Sequence, residues 1–422
     1  MILRAPRRPV AALLVLASLV AAGGTAAAQT GFGNDEAFDL RAAMKWSTLV
    51  ARAPADTVLY PKRWSGTNLW RLRLMATLRP ASSVRLEVAY EQRLEVASGD
   101  AGLLGASTFL PSESPPPYRI EPLQDELVES GTSLMYEHEL DRALVSLSVG
   151  RLDVSLGRQA VGWGRGVLFS AVDIFAPFTP LQSEREWRRG VDAVRVGAPV
   201  THAISLEGVA AFGEDVDASA FALRLYGFLG DLDTEVVAGR RFEDLFAGAS
   251  VSVPLFGAEL HGEAAVYRTP EPFAERANEL VLKAVAGGSY SFNAGRGVCV
   301  LGEYHYSGFG AGDTDELSYW LLLDGVLERI LRGDLQILGR HAAALQATYG
   351  LGAPLSWSLL VVANPVDGSG VAAPGFTWTA TDHVTLSGSL YLPFGEESED
   401  GRLMSEYGAT PRTGLLTLSF YP

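Results

Sequence analysis

From Leu69 onward, large apolar side chains recur at every second position. Trp70, Leu72, Leu74, Ala76 and Leu78 share one face, and Arg71, Arg73, Thr77 and Arg79 share the other. Val84, Leu86, Val88 and Tyr90 alternate with Arg85, Glu87, Glu91 and Arg93. Leu260, Gly262, Ala264 and Val266 alternate with Glu259, His261 and Glu263. Phe376, Trp378 and Ala380 alternate with Thr377, Thr379 and Thr381, and Val384, Leu386, Leu390 and Leu392 with Thr385, Ser387 and Ser389. A period of two predicts strands with one apolar and one polar face. A soluble sandwich has the same alternation, because its inner face is apolar and its outer face polar.

The connections separate the two architectures. Tight turns are predicted near Pro80–Ser82, Gly150–Arg151, Pro199–His202, Leu229–Asp231, Pro254–Gly257, Asn293–Arg296, Leu351–Pro354 and Asp382–His383. Between them fall longer connections: Glu95–Gly131, Gly162–Gly190, Gly213–Asp217, Thr269–Glu279, Ser307–Leu338, Asn364–Gly370 and Pro393–Arg412. Phe242–Asp244 is the one short member of the long set. This alternation of short and long is the rhythm of a transmembrane β-barrel. The turns join sixteen strands between Leu69 and Leu392, and Leu415–Tyr421 adds another. An even count then requires a strand before Leu69, for which Ala37–Leu49 is the candidate. The expectation is an all-β, antiparallel up-and-down barrel of about 18 strands, with 16 as the alternative count. Lipid offers no hydrogen-bond partners, so such a sheet must close on itself. At that size side chains cannot fill the interior, and an aqueous channel is expected unless loops plug it.

The N-terminus carries Arg4, Arg7 and Arg8, an apolar run from Val10 to Val20, and Ala26-Ala27-Ala28 before Gln29. That is the layout of a cleaved secretory signal over residues 1–28, leaving 29–422 as the barrel. No later stretch is long and apolar enough for a transmembrane helix. The net charge of −15 becomes −18 when the three leader arginines are removed. Such acidity argues against a nucleic-acid partner. The single cysteine, Cys299, excludes an intramolecular disulfide. Trp70, Tyr90, Tyr267, Tyr306, Trp357 and Trp378 near strand ends suit interfacial girdles, although aromatics also favour strands in general.

Charge crowds between Leu152 and Arg195. Arg158, Arg165, Asp173, Glu184, Arg185, Glu186, Arg188, Arg189, Asp192 and Arg195 surround a proline-bearing stretch too long for a tight turn. Folded inward, residues 162–190 would form a charged constriction that orients and selects polar solutes. Folded outward, their ion pairs would face solvent and contribute little. Candidate pore-lining positions on the polar strand faces are Arg71, Arg73, Arg85, Glu87, Glu91, Arg93, Glu259, Glu263 and Glu303. Glu137, Glu207, Glu235, Arg224, Arg240 and Arg268 extend this set, whose two signs nearly balance.

The same stretch contains Gly157-Arg158-Gln159, Trp163-Gly164, Asp173-Ile174-Phe175-Ala176-Pro177 and Val191-Asp192-Ala193-Val194-Arg195. It resembles porin-like outer-membrane barrels of proteobacteria, including alginate-export-type channels and related barrel families of unknown function. The resemblance implies a barrel passing small solutes or a polysaccharide chain, without fixing which. The last strand, Leu416 to Tyr421, resembles the terminal recognition signal of such barrels, with Pro422 displacing its aromatic pair by one residue. The expected partners are outer-membrane lipid and lipopolysaccharide, small hydrophilic solutes, and the barrel-assembly machinery during insertion.

Enzymatic signals are lacking. The six histidines are scattered without metal-ligand spacing, and no G-x-S-x-G elbow is present. Gly162–Gly166 lacks the spacing and context of a nucleotide loop. No cofactor, metal site or catalytic residue is expected. The expected function is passive diffusion of hydrophilic solutes. The rival readings are export of an acidic polysaccharide, a barrel enzyme acting on lipid, and a soluble exported β-protein. Within the long connection 308–337, Tyr319–Leu323 and Val326–Leu331 have helical spacing, with Glu328, Arg329 and Arg332 opposite the apolar stripe. This predicts a short amphipathic helix at the rim or dipping inside, packed on the barrel mouth or capping the pore.

Overall fold

The computed structural model describes residues 37–98, 109–110, 116–121, 123–130, 134–270, 279–350, 352 and 354–422. The signal-peptide expectation for 1–28 lies outside these residues.

The first strands are β1 (Phe38–Arg52), β2 (Trp64–Ala81), β3 (Val84–Ala97), β4 (Gln124–Ser130), β5 (Leu134–Val149) and β6 (Leu152–Gln159). Next come β7 (Val191–Pro199), β8 (Ile204–Ala211), β9 (Ala220–Leu229), β10 (Leu232–Arg241), β11 (Asp244–Leu255) and β12 (Ala258–Arg268). The remainder are β13 (Leu280–Phe292), β14 (Val298–Ser307), β15 (His341–Tyr349), β16 (Leu355–Ala363), β17 (Gly370–Thr381), β18 (Val384–Phe394) and β19 (Arg412–Phe420). Each wall strand pairs antiparallel with the next. β19 returns to β1, from Met44↔Phe420 to Arg52↔Arg412. The result is a closed 18-stranded up-and-down barrel. All eight predicted tight turns lie at one end, and the long connections at the other.

One strand was not expected. β4 falls within the predicted Glu95–Gly131 connection and pairs with β5 from Gln124↔Glu139 to Ser130↔Leu134. β3 covers one whole edge of β5, whereas β6 covers only its turn-proximal part, from Val149↔Leu152 to Ala143↔Arg158. β4 covers the rest of that edge. An uncovered edge would present unpaired backbone donors and acceptors, which explains why this connection turns back as a strand.

The outer face is apolar. Met44, Trp46, Val50, Trp70, Leu156, Leu223, Val236, Leu260, Val266, Leu282, Leu345, Trp357, Trp378, Leu390 and Leu418 are all exposed there. No soluble sandwich buries so little of its apolar strand face, because two sheets would meet across it. Tyr267 departs from the girdle expectation. It shares the inward parity of Glu263 and Ala265, is fully buried, and donates from its hydroxyl to the Ala171 carbonyl at 3.1 Å. Alternation along β12 fixes that direction.

Inside the long-connection end sits an apolar cluster that includes Phe109, Tyr118, Trp163, Phe169, Ile174, Phe175, Leu317 and Val326. The connection between β14 and β15 supplies two short helices, α1 (Leu317–Leu321) and α2 (Asp324–Leu331). This corrects the single amphipathic helix expected from spacing. The chain breaks at Leu322–Leu323, Leu322, Leu327 and Leu331 are exposed, and Arg329 is buried. Arg329 is drawn inward by Asp244 of β11 and by Asp334, both buried acids.

Candidate functional site

The connection from Ala160 to Gly190 lies within the barrel. Its first limb runs along four inward-facing glutamates on alternate strands. Trp163 Nε1 donates to Glu207 of β8 at 2.9 Å, and Gly164 N to Glu235 of β10 at 3.2 Å. Glu263 of β12 accepts from the backbone of Arg165, Gly166 (2.6 Å), Ala171 (2.7 Å) and Val172 (3.3 Å), and from Ser170 Oγ at 3.0 Å. Glu303 of β14 accepts from the backbone of Val167, Leu168 and Phe169 at 2.6–3.0 Å. An irregular segment inside a barrel has no ladder to satisfy its amides, so wall carboxylates take that part. Charged acceptors make the stronger hydrogen bonds.

The second limb meets the opposite wall. Glu184 binds Lys45 of β1 at 2.7 Å and Arg71 of β2 at 2.8 Å, and Glu186 also pairs with Lys45. Trp187 lies against this basic group, with Lys45 Nζ 4.0 Å and the Arg73 guanidinium 4.9 Å from the ring centre. Arg189 pairs with Glu139 of β5 at 2.7 Å. The segment therefore crosses the lumen from β8–β14 to β1–β5 and is held by charge at both sides.

The remaining loop charges act within the crossing. Arg188 pairs with Asp173 and donates to the Ala176 carbonyl at 2.7 Å. Arg185 donates to the carbonyls of Val167, Thr179 and Pro180 at 2.7–3.0 Å, tying the two limbs together. Arg165 reaches Asp233 of β10 at 2.6 Å and stays partly exposed. Arg195 of β7 pairs with Glu207 at 2.5 Å. Arg158 and Asp192 are placed differently from the constriction expectation. They face each other in register, at positions alternating with inward Gln159 and Val191, and bind each other at 2.7 Å. Their parity is that of outward Leu156, so they brace the wall instead of lining the lumen.

Of the expected pore-lining residues, Arg71, Arg73, Glu91 and Arg93 are buried in one ion-pair network with Asp141 and Glu137. Glu263 and Glu303 face inward but lie beneath the crossing segment. Glu259 and the Arg85–Glu87 pair (2.5 Å) are more open, nearer the tight turns. Arg240 and Arg268 are corrections to the wider set. They alternate with inward Arg241 and Tyr267, and share the outward parity of Val236 and Val266. From β15 to β19 the wall changes character. His341 and Arg412, at the ends, are its only ionisable cations, and it has no Asp or Glu. Its inward positions toward the turns are hydroxyls, among them Ser358, Thr377, Ser387, Ser389 and Thr417.

Lys45, Trp187, Arg241, Asp244 and Asp334 belong to the site but not to the residues expected from the sequence. Arg241 and Asp334 form a fully buried pair inside the barrel, joined by Arg329 and Asp244. The parity of β10 was a usable signal for Arg241. Asp334 lies in a loop and had none.

Glu406 joins three long connections. It accepts from Leu338 N and Asn364 Nδ2 at 2.8 Å each, while its own N–H donates to Asp367 Oδ2 at 2.8 Å. Burial, with Asp367 adding repulsion, pushes its carboxyl up to about 7. Tyr407 is the other titratable group against it. A raised acid favours the fold while it is neutral. Its contribution is complete below the ordinary glutamate range and is lost as pH rises through about 7. Proteolysis of the long connections is therefore expected to be faster at pH 8 than at pH 5, and Glu406→Gln should flatten that dependence.

No family model matches the chain, and no curated protein matches it by sequence. Solved structures do match it in fold. Acinetobacter baumannii OccAB1 superposes with a TM-score of 0.54 at 10% identity, over 93% of this chain and 98% of that one. Pseudomonas aeruginosa OccK9 (OpdG) gives 0.55 at 11% identity, over 91% and 98%. A BenF-like porin from Pseudomonas fluorescens Pf-5 gives 0.52 at 9% identity, over 93% and 100%. The chain has the porin fold.

Proposed function

We propose that this protein is an outer-membrane channel of a Gram-negative bacterium through which small hydrophilic solutes diffuse passively. The observation that carries this reading is the charged segment 160–190, lying across the lumen and held at both walls. A structural plug would need no polar route beside it. Here the hydroxyl wall of β16–β19 continues toward the turn end, between the charged walls of β8–β14 and β1–β5. A solute passing along it meets exchangeable hydrogen-bond partners flanked by fixed charge, which is how a narrow pore selects by polarity. No chemical step is involved. The porin fold shared with the BenF-like porin and OccAB1 supports the same reading.

Planar-bilayer recording of the refolded protein tests it. The wild type is expected to insert as discrete conducting channels. The Arg165→Ala/Arg185→Ala double variant removes the Asp233 pair and the tie between the two limbs. Its single-channel conductance should rise and its ion selectivity should move toward cations. Values identical to wild type would end the constriction role. A folded wild type that never conducts would end the channel reading.

A further inference from the structure

We propose that the outer rim where β1, β2, β18 and β19 meet binds the phosphorylated headgroup of an outer-leaflet glycolipid. This rests on the membrane reading above, which puts the long connections outside the cell.

A cavity of about 290 Å³ opens there, lined by Arg52, Arg63, Arg412, Glu397, Pro393 and Phe394, among others. Arg52 and Arg412 are direct cross-strand partners at the long-connection end of β1 and β19. Like charges directly opposite each other destabilise a sheet. Among the described residues, neither these two nor Arg63 has a carboxylate within ion-pair reach. All three are exposed, so one cavity of an otherwise acidic chain presents three guanidiniums that no acid among the described residues occupies, a positive cluster open to an external anion. The planar fork of arginine matches phosphate oxygens two at a time.

The direction of the cavity selects the source of that phosphate. Arg52 continues the outward column of Met44, Trp46 and Val50, and Arg412 that of Phe420, Leu418 and Leu416. Trp64, the register partner of Arg52, is 61% exposed, and its ring lies 5.8 Å from the Arg52 guanidinium. Phe394, beside the cavity, is also exposed. The site therefore sits on top of the lipid-facing belt and away from the lumen. A molecule with an anionic head above and acyl chains below fits both parts at once, whereas a free anion uses only the upper one. Basic groups beside a bilayer attract anionic headgroups in this way. Glu397, on the lip, offers an acceptor for sugar hydroxyls.

The test uses the full-length refolded barrel in zwitterionic detergent, with bisphosphorylated lipid A, dephosphorylated lipid A and inorganic phosphate as probes. Retention is read by native mass spectrometry. The wild type should retain bisphosphorylated lipid A, and Arg52→Gln/Arg412→Gln should retain it at least about tenfold less well, the loss of one charge-assisted contact or more. Dephosphorylated lipid should bind the wild type as weakly as the intact lipid binds the variant. Inorganic phosphate at equal concentration should not displace the lipid. Equal retention by wild type and variant overturns the site. Equal retention of dephosphorylated lipid, or displacement by equimolar phosphate, overturns the headgroup assignment. Arg412→Gln alone provides the folding control. Without lipid, the thermal midpoint of its gel mobility shift should match or exceed wild type, because a like-charge pair is relieved. A lower lipid-free midpoint makes Arg412 structural and overturns the proposal. Conductance should stay at wild-type values in every variant. Lost retention with normal conductance would leave the channel reading standing, and retained lipid without conductance would sink that reading alone.

Discussion

Replacing Glu263 by alanine is expected to release residues 163–172 from the wall while the barrel stays closed. The carboxylate accepts from four backbone amides and the Ser170 hydroxyl, and the residue is 4% exposed. Each donor left buried without a partner costs about 1–3 kcal/mol. Several lost together exceed what the apolar contacts of a ten-residue stretch recover, so the segment should prefer water. The strand itself keeps its pairing, because β12 bonds to β11 and β13 through the backbone. Single-channel conductance should rise several-fold, with added noise from a mobile segment. Trypsin should cut at Arg165 or Arg185, which the docked segment protects. Glu263→Gln is the graded control. It keeps the shape but turns one acceptor into a donor facing donors, so its conductance should fall between the two. A Glu263→Ala barrel that conducts as wild type and resists trypsin would show that the segment is held by packing alone.

The wall was legible because a two-residue period leaves little freedom. Once Trp70 and Leu72 face lipid, Arg71 and Arg73 must face inward, and β12 and β18 alternate in the same way. The turns were legible because a tight reversal needs only a few residues, and each lies between two alternating runs. β4 was missed because the length mismatch that calls for it, a 16-residue β5 beside an 8-residue β6, is a property of neighbours and not of its own sequence. The loop charges were visible as a crowd, but their partners were not. Arg185 spends its donors on three carbonyls of its own loop, and Arg158 meets Asp192 at the wall. Nothing local distinguishes these from Glu184, which crosses the lumen to Lys45 and Arg71. Alternation fixes which way a strand residue points. An irregular segment has no such rule, and its partners are set by where the wall has placed complementary charge. Arg329 illustrates the same limit. A helical wheel puts it on the solvent side, yet two buried acids outweigh the wheel.

Those acids give the second large effect. Asp334→Ala should loosen the β14–β15 connection and lower the barrel's resistance to urea. Asp334 is fully buried, receives Arg241, and binds Arg329 at 3.1 Å. Arg329 keeps Asp244 at 2.9 Å after the substitution, but Arg241 keeps only the Tyr118 hydroxyl at 3.0 Å and the Arg332 carbonyl at 2.8 Å. Neither carries charge. Breaking one partner of a buried pair costs about 3–5 kcal/mol, because the other charge is left without compensation. The connection carrying α1 and α2 is tied to the wall by this network, so the loss should appear first as protease access to that connection. A double variant separates charge from packing. In Asp334→Ala/Arg241→Met the stranded charge is gone and the volume partly kept, so most of the lost stability should return. If the double variant is as weak as Asp334→Ala, the cost lies in the cavity left at Asp334 and not in the orphaned guanidinium. The ionic account of how this connection is held inside the barrel would then fall.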